Sequence, residues 1–359
     1  MYSFLSHITV KQSLGALFGL FSEISLLLNI ITLLSVFRLA FLSRKNQVYI
    51  IAFFNSLCDV LHMLLNVFYL APSIFFSSFL VSYTKKNEYT LLLGSAFMFL
   101  WYFETATRVI MAINRFVVIC LQNHTTFTFT STTVLFLILI PICFATMFVS
   151  QYVNPCCSFL FDHEYFSYSY FTIEGVPNYS NMFDLPLNIT TSVVSALCYL
   201  SIFWTVHKTT PTCKLSMNAH KARLKRDIRY AIQFSVLFVF HTLGYILLRV
   251  LPCVFNDQQK EWRILVPFFF LLDCSANAVI YLGLNLEVQN NAFPAALRSI
   301  FEAFGLKKDP KEQPQSVAMR VNETTQSSDR ARSITALVIP RRRIQPFRSI
   351  GLRRTSRMV

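Results

Sequence analysis

Apolar positions in this chain gather into long unbroken blocks. A hydrocarbon layer about 30 Å thick is crossed by about 20 helical residues. Seven blocks meet that length, near 16–38, 48–70, 91–118, 131–152, 188–207, 230–252 and 264–284. They lack the alternating segments of about 10 residues that mark barrel strands. The pattern therefore predicts seven helices. The apolar piece Ala71–Tyr83 is too short to span and reads as an outer loop or a frayed helix end.

Composition agrees with a membrane bundle. Hydrophobic residues make up 54% and charged residues 14%, against about 25% charged in soluble chains. The chain holds 37 Phe and 15 Tyr but only 8 Gly. This excludes a disordered chain and a glycine-rich array. No glycine fingerprint of a dinucleotide or nucleotide-phosphate loop is present.

The formal net charge is +14, and its placement matters more than its size. Arg38, Arg44 and Lys45 follow the first span. Lys208, Lys214, Lys221, Arg223, Lys225 and Arg226 lie between the fifth and sixth. Many more follow Arg298. The opposite side has only Lys11, Lys85, Lys86, Lys260 and Arg263. Positive residues stay on the cytoplasmic side, so the N-terminus is expected outside and the C-terminus inside, in the plasma membrane. The charge then reads as orientation and contact with membrane lipid, with no nucleic-acid partner. The first span starts too far in and runs too long for a cleaved signal peptide.

The expected organisation is an all-α membrane protein: an extracellular N-terminus over 1–15, a seven-transmembrane helix bundle over 16–284, an amphipathic inner-leaflet helix over 285–305 and a disordered basic cytoplasmic tail over 306–359. Phe293, Leu297, Phe301 and Phe304 give the amphipathic segment its apolar spacing. In the tail, Arg353–Ser356 forms a candidate kinase site. No internal repeat of the kind found in many transporters is evident. The loop between spans four and five is acidic and aromatic and carries the glycosylation sequon Asn178-Tyr-Ser. A second sequon, Asn188-Ile-Thr, sits at the mouth of span five, close to the bilayer. Those at Asn123 and Asn322 fall on the inner side.

Charges within a span are costly and mark candidate function. Glu104 and Arg108 stand four residues apart in span three, where they can pair along one face, and Arg115 follows two turns later. Asp59 lies in span two, Asp273 and Asn277 in span seven, and Asn29 in span one. Each alone reads equally as a satisfied structural polar group. Together Asp59, Glu104, Asp273 and Arg108 are expected to share a buried network. Three acids and one base leave excess negative charge, which a proton or a sodium ion at Asp59 and Glu104 would relieve. Span six carries His241, Tyr245 and Arg249 on one stripe, either a ligand anchor or an arginine reaching for headgroups. Trp101 and Tyr102 either wall a pocket or pack. No HExxH, nucleophile elbow or cysteine cluster appears, so no enzyme activity, cofactor or resident metal centre is expected.

Four landmarks then carry a resemblance. Asn114-Arg115-Phe116, within Ala112–Val118, resembles the Asp/Glu-Arg-Tyr box of rhodopsin-like G-protein-coupled receptors. In that setting it looks like the serpentine chemoreceptors of nematodes, class x or a related class. Asn277-Ala-Val-Ile-Tyr281 resembles those receptors' Asn-Pro-x-x-Tyr box, with Ala278 in place of proline. Asn29 and Asp59 match their polar landmarks in spans one and two. The resemblance covers about 15–305. It implies an extracellular ligand, a small molecule or short peptide, and a heterotrimeric G protein met by Arg115 and its neighbours Asn114 and Phe116. Lys225 and Arg226 would face that protein or acidic lipid, Asn277 and Tyr281 would switch between states, and the site of action would be a sensory cilium. The departures concern switching: no Cys begins span three, span four lacks its tryptophan, span six lacks Trp-x-Pro, and no proline follows the arginine box. Cys156 and Cys157 therefore have either Cys253 as a partner or none. The rival reading is a multi-pass transporter or channel.

Overall fold

A computed structural model describes residues 10–44, 47–81, 87–123, 125–153, 157–171, 175–176, 178–212, 218–254 and 257–292. The chain divides into a unit spanning 1–297 and a unit spanning 298–359. The second unit lies outside the described residues. So do the expected amphipathic segment from Phe293 onward and the candidate kinase site. Lys225 and Arg226 lie within a helix, but their side chains are also outside the description.

Seven helices account for the seven apolar blocks: α1 (Val10–Phe37), α2 (Val48–Leu65), α3 (Glu88–Ile119), α4 (Phe129–Phe148), α5 (Ser180–Thr212), α6 (Asn218–Val254) and α7 (Leu265–Leu284). A short α8 (Leu286–Ala292) follows. Six of the seven are long and apolar enough to cross a membrane. In α6 the apolar part is Ser235–Leu251. Its 37 residues make a rod of about 55 Å, longer than the roughly 30 Å a hydrocarbon layer needs. The charged first turns of α6 therefore extend past the layer.

Local chemistry sets the helix ends. The Asn87 side chain accepts from Tyr89 N–H at the start of α3, and Thr128 and Ser131 form a capping box at the start of α4. Such caps satisfy amides that have no partner inside the helix. Helix α2 passes through a π-helical turn, Asn66–Leu70, into Ala71–Phe76, and stops where Ser77 turns left-handed. The first part of the piece read as a loop or frayed end is thus a continuation of α2. Similar π turns end α1 and α4.

Helix α3 is central, packing on α2, α4, α5 and α6. It also meets an element absent from the sequence reading. The chain between α4 and α5 forms an antiparallel hairpin of β1 (Phe159–Asp162) and β2 (Ser167–Tyr170), with Phe159 opposite Tyr170. Asp162 steadies its turn by accepting from the Glu164 amide at 2.9 Å and the Ser169 hydroxyl at 3.1 Å. Tyr168 donates to Asn66 in the π turn of α2 at 2.9 Å. Cys157, just before the hairpin, is disulfide-bonded, which removes the reading that left it without a bridge.

Gly94 lets the hairpin lie directly on α3. A Cβ there would come within 1.9 Å of the Phe159 carbonyl oxygen. That atom is backbone and cannot swing aside. Gly94→Ala is expected to push β1 off α3 at about 1–3 kcal/mol, the usual cost of overpacking. A thermal midpoint equal to wild type in detergent would contradict this.

The two sequons of this region differ in access. Asn188 is buried in α5 and donates to Asp184 at 2.8 Å, whereas Asn178 lies half-buried ahead of α5. Expressed protein is expected to carry one glycan, lost in Asn178→Gln. A residual glycosidase-sensitive band in that variant would contradict the assignment.

Candidate ligand site and its charged floor

The acid and base expected to pair in α3 do so, and the pair reaches other helices. Arg108 forms an ion pair with Glu104 one turn away. It also donates to both oxygens of Asp273 in α7, at 3.0 and 2.9 Å, and to the Leu237 carbonyl of α6 at 3.3 Å. His241 of α6 sets Nδ1 3.2 Å from Asp273. His62 of α2 sets Nδ1 3.1 Å from the other oxygen of Glu104. The result is one chain, His62–Glu104–Arg108–Asp273–His241, joining α2, α3, α6 and α7. Every member is nine-tenths buried. Such groups persist in a low-dielectric interior only when paired.

Asp59 makes no hydrogen bond or ion pair with Arg108, but it lies close enough for its charge to act on Arg108, Glu104 and Asp273. It accepts instead from Asn277 at 2.8 Å and from Asn55 at 3.2 Å. Its Oδ1 has no hydrogen-bond partner among the described residues. Asn29 sits apart again, donating to the Ser25 carbonyl at 3.0 Å, and Ser275 ties that turn of α1 to α7 at 2.7 Å. The division matters for the sodium expectation. Arg108 and His62 already engage both oxygens of Glu104. Glu104, His241 and Asp273 do bring ligand atoms within 4.8 Å of one another, but the Arg108 guanidinium pairs with both carboxylates and takes the place of a cation there. Asp59 keeps one oxygen without a hydrogen bond among the described residues. A small space runs past Asn55, Asn277 and Arg108.

Toward the hairpin end, the charged chain forms the floor of a narrow, aromatic-lined cavity. Its walls are mainly aromatic: Phe97 and Trp101 of α3, Phe159, Tyr168 and Tyr170 of the hairpin, and Phe270 of α7. The rings pack on one another. Phe97 stacks on Phe159 at 4.8 Å between centroids, and Trp101 lies 4.9 Å from the His241 ring. Asp273 and His241 reach the cavity from the network. Beyond it, a wider vestibule opens past Tyr170, Arg249 and Arg263.

Asp184 of α5 fastens this end of the bundle. It accepts from the Trp101 indole at 3.1 Å, from Asn188 at 2.8 Å, and forms an ion pair with Arg249. Arg249 therefore arrives at the vestibule with a carboxylate partner already in place. Of the five residues expected at a ligand site, Trp101 and His241 line the inner cavity. Arg249 lines the vestibule, Tyr245 stacks behind Trp101, and Tyr102 is buried against Ser150. The sequence reading missed His62, Phe97, Phe159, Tyr168 and Phe270. Burial of the hairpin tyrosine Tyr170 pushes its phenol up from the usual value, with the Asp184 carboxylate adding to the effect.

At the other end of the bundle, Asn114 and Arg115 are both only 1% exposed, and Phe116 is half-buried. Tyr281 is buried in α7 near Asn285, which turns the chain into α8. Asn285 accepts the Glu287 and Val288 amides, and Tyr49 of α2 donates to Glu287 at 2.8 Å.

No curated protein matches the chain. Among solved structures, squid rhodopsin aligns with a TM-score of 0.66 over 92% of each chain at 14% identity. That likeness is one of fold, a rhodopsin-like seven-helix membrane bundle. A model of the serpentine type 7TM GPCR chemoreceptor Srx family matches residues 20–282, the bundle apart from its first turns and the last two residues of α7. The chain belongs to the Srx family of serpentine seven-transmembrane G-protein-coupled chemoreceptors.

Proposed function

We propose that this receptor takes an extracellular ligand into the aromatic cavity and activates a heterotrimeric G protein at the Arg115 end. One observation carries the reading: His241 both lines the cavity and holds Asp273, which in turn holds Arg108. A ligand touching His241 thereby acts on the contact that fastens α6 and α7 to α3. A ligand shifts a conformational equilibrium only by binding one state better than the other. This site supplies such a difference, because its floor is a set of cross-helix ion pairs that α6 movement would rearrange.

By this reading the hairpin end faces outside, and Arg115 is released from burial when α6 swings away. The basic start of α6, with Lys225 and Arg226, faces acidic lipid and the G protein. Asp59, Asn277 and Tyr281 form the polar relay between the two ends, and Asp59 is the candidate sodium ligand. The receptor acts in the plasma membrane of a sensory cilium. The test is nucleotide exchange on a panel of G proteins, using reconstituted receptor and a library of small odorants and peptides. Ligand-stimulated exchange supports the reading, and ligand-driven solute flux in its place would favour a transporter.

Asn114 gives a further expectation. An acid beside Arg115 would restrain the arginine in the resting state, and the amide does not. Basal exchange is expected to be appreciable. Asn114→Asp is expected to lower it about two- to fivefold, the effect of roughly 0.5–1 kcal/mol for a modest ion pair. Equal basal rates at matched surface expression would contradict this.

A further inference from the structure

We infer that the cavity selects an uncharged, flat aromatic molecule bearing a hydrogen-bond donor, which it seats against Nε2 of His241. The inference rests on the receptor reading and narrows it to a ligand class.

Two carboxylates, Asp184 and Asp273, line the cavity, which at first sight suits a cationic amine. Both are already satisfied. Asp184 has Arg249, Trp101 and Asn188 as partners. Asp273 has Arg108 on both oxygens and His241 on one. An ammonium entering here would have to displace a guanidinium from a buried pair. An anion would meet carboxylates with no cation to spare. Burying either charge without a partner is unfavourable, so the cavity favours a neutral ligand.

Six aromatic rings face the space, and two of them, Phe97 and Phe159, are held nearly parallel at 13°. Rings gain most from other rings in stacked or edge-to-face contact. A planar aromatic body meets these walls better than a branched aliphatic one.

His241 sets the orientation of the ligand. His241 is 6% exposed, and its Nδ1 is turned to the Asp273 carboxylate. A carboxylate accepts hydrogen bonds, so of the two neutral tautomers the one with its proton on Nδ1 suits this contact. Nε2 is then an acceptor, and it has no hydrogen-bond partner among the described residues. A buried polar atom of this kind is costly unless something meets it. An N–H or O–H on an aromatic ligand supplies the missing half. Trp101, packed against the imidazole, limits the approach to one that slides along the ring plane.

The test uses three near-isosteric probes on full-length receptor in nanodiscs: indole (a donor), 1-methylindole (no donor) and benzofuran (an acceptor only). Affinities are read from thermal stabilisation against ligand concentration. Indole is expected to bind at least tenfold more tightly than either analogue. His241→Phe, which keeps a ring in place, is expected to erase that difference. His241→Gln, whose amide oxygen can accept, is expected to keep part of it. Equal affinities in the wild type, tighter binding of benzofuran, or no binding of indole would overturn the inference. The receptor reading is judged separately by ligand-independent exchange, which needs no probe.

Discussion

Arg115→Ala is expected to cut G-protein nucleotide exchange by about ten- to a hundredfold while leaving ligand affinity in the cavity within a factor of two or three. The first figure follows from losing charge-assisted hydrogen bonds of roughly 1.5–3 kcal/mol. The second follows from the placement of the residue, at the opposite end of α3 from Trp101 and Phe97. Arg115 is the largest of the fully buried side chains, so alanine also leaves a void and weakens the fold. Arg115→Met fills most of that volume and removes only the charge. The proposal requires both variants to bind ligand and neither to couple. A methionine variant that couples normally would assign Arg115 a packing role alone.

Arg108→Met is expected to be the most destabilising single change in the bundle. It strands Glu104 and Asp273, which are 0% and 2% exposed, without the cation between them. Removing one partner of a buried pair typically costs about 3–5 kcal/mol, a large part of the roughly 5–15 kcal/mol that holds a domain together. His62 and His241 remain beside the two acids. Asp273→Asn is expected to be milder, because Arg108 keeps Glu104. The double variant Arg108→Met with Asp273→Asn should recover part of the loss, since one of the stranded charges is then gone. Thermal midpoints of the three variants in one detergent give the comparison. A double variant no more stable than Arg108→Met alone would mean that the two side chains do not act as a pair.

Six of the helices were legible because each is a block of apolar residues long enough to span, and α6 through its shorter apolar run Ser235–Leu251. The Glu104–Arg108 pair was legible because four residues is one helical turn. The third member, Asp273, was legible as a buried acid but not as the partner of Arg108 rather than Asp59. Nothing in a helical period says which helices are neighbours at a given depth. Two of three acids met the base, and the other met Asn277 and Asn55. His62 went unnoticed because a lone histidine in an apolar run carries no periodic signal. Asp184 was read as a loop acid because the apolar block begins near 188. The helix starts at Ser180, and that places Asp184 one turn before Asn188 and facing α3. The hairpin left a faint trace in the alternation Ser167-Tyr-Ser-Tyr170, which aromatic richness on both strands obscured. Gly94 carried no signal at all, since its meaning lies in a backbone 65 residues further on.

The central claim is that this bundle turns an external ligand into G-protein activation and conducts nothing itself. The most direct measurement is ligand-independent nucleotide exchange and solute flux, recorded in the same proteoliposomes with a panel of G proteins. The account predicts exchange above the G-protein-only baseline, with flux no higher than in empty vesicles. Flux without exchange would contradict it.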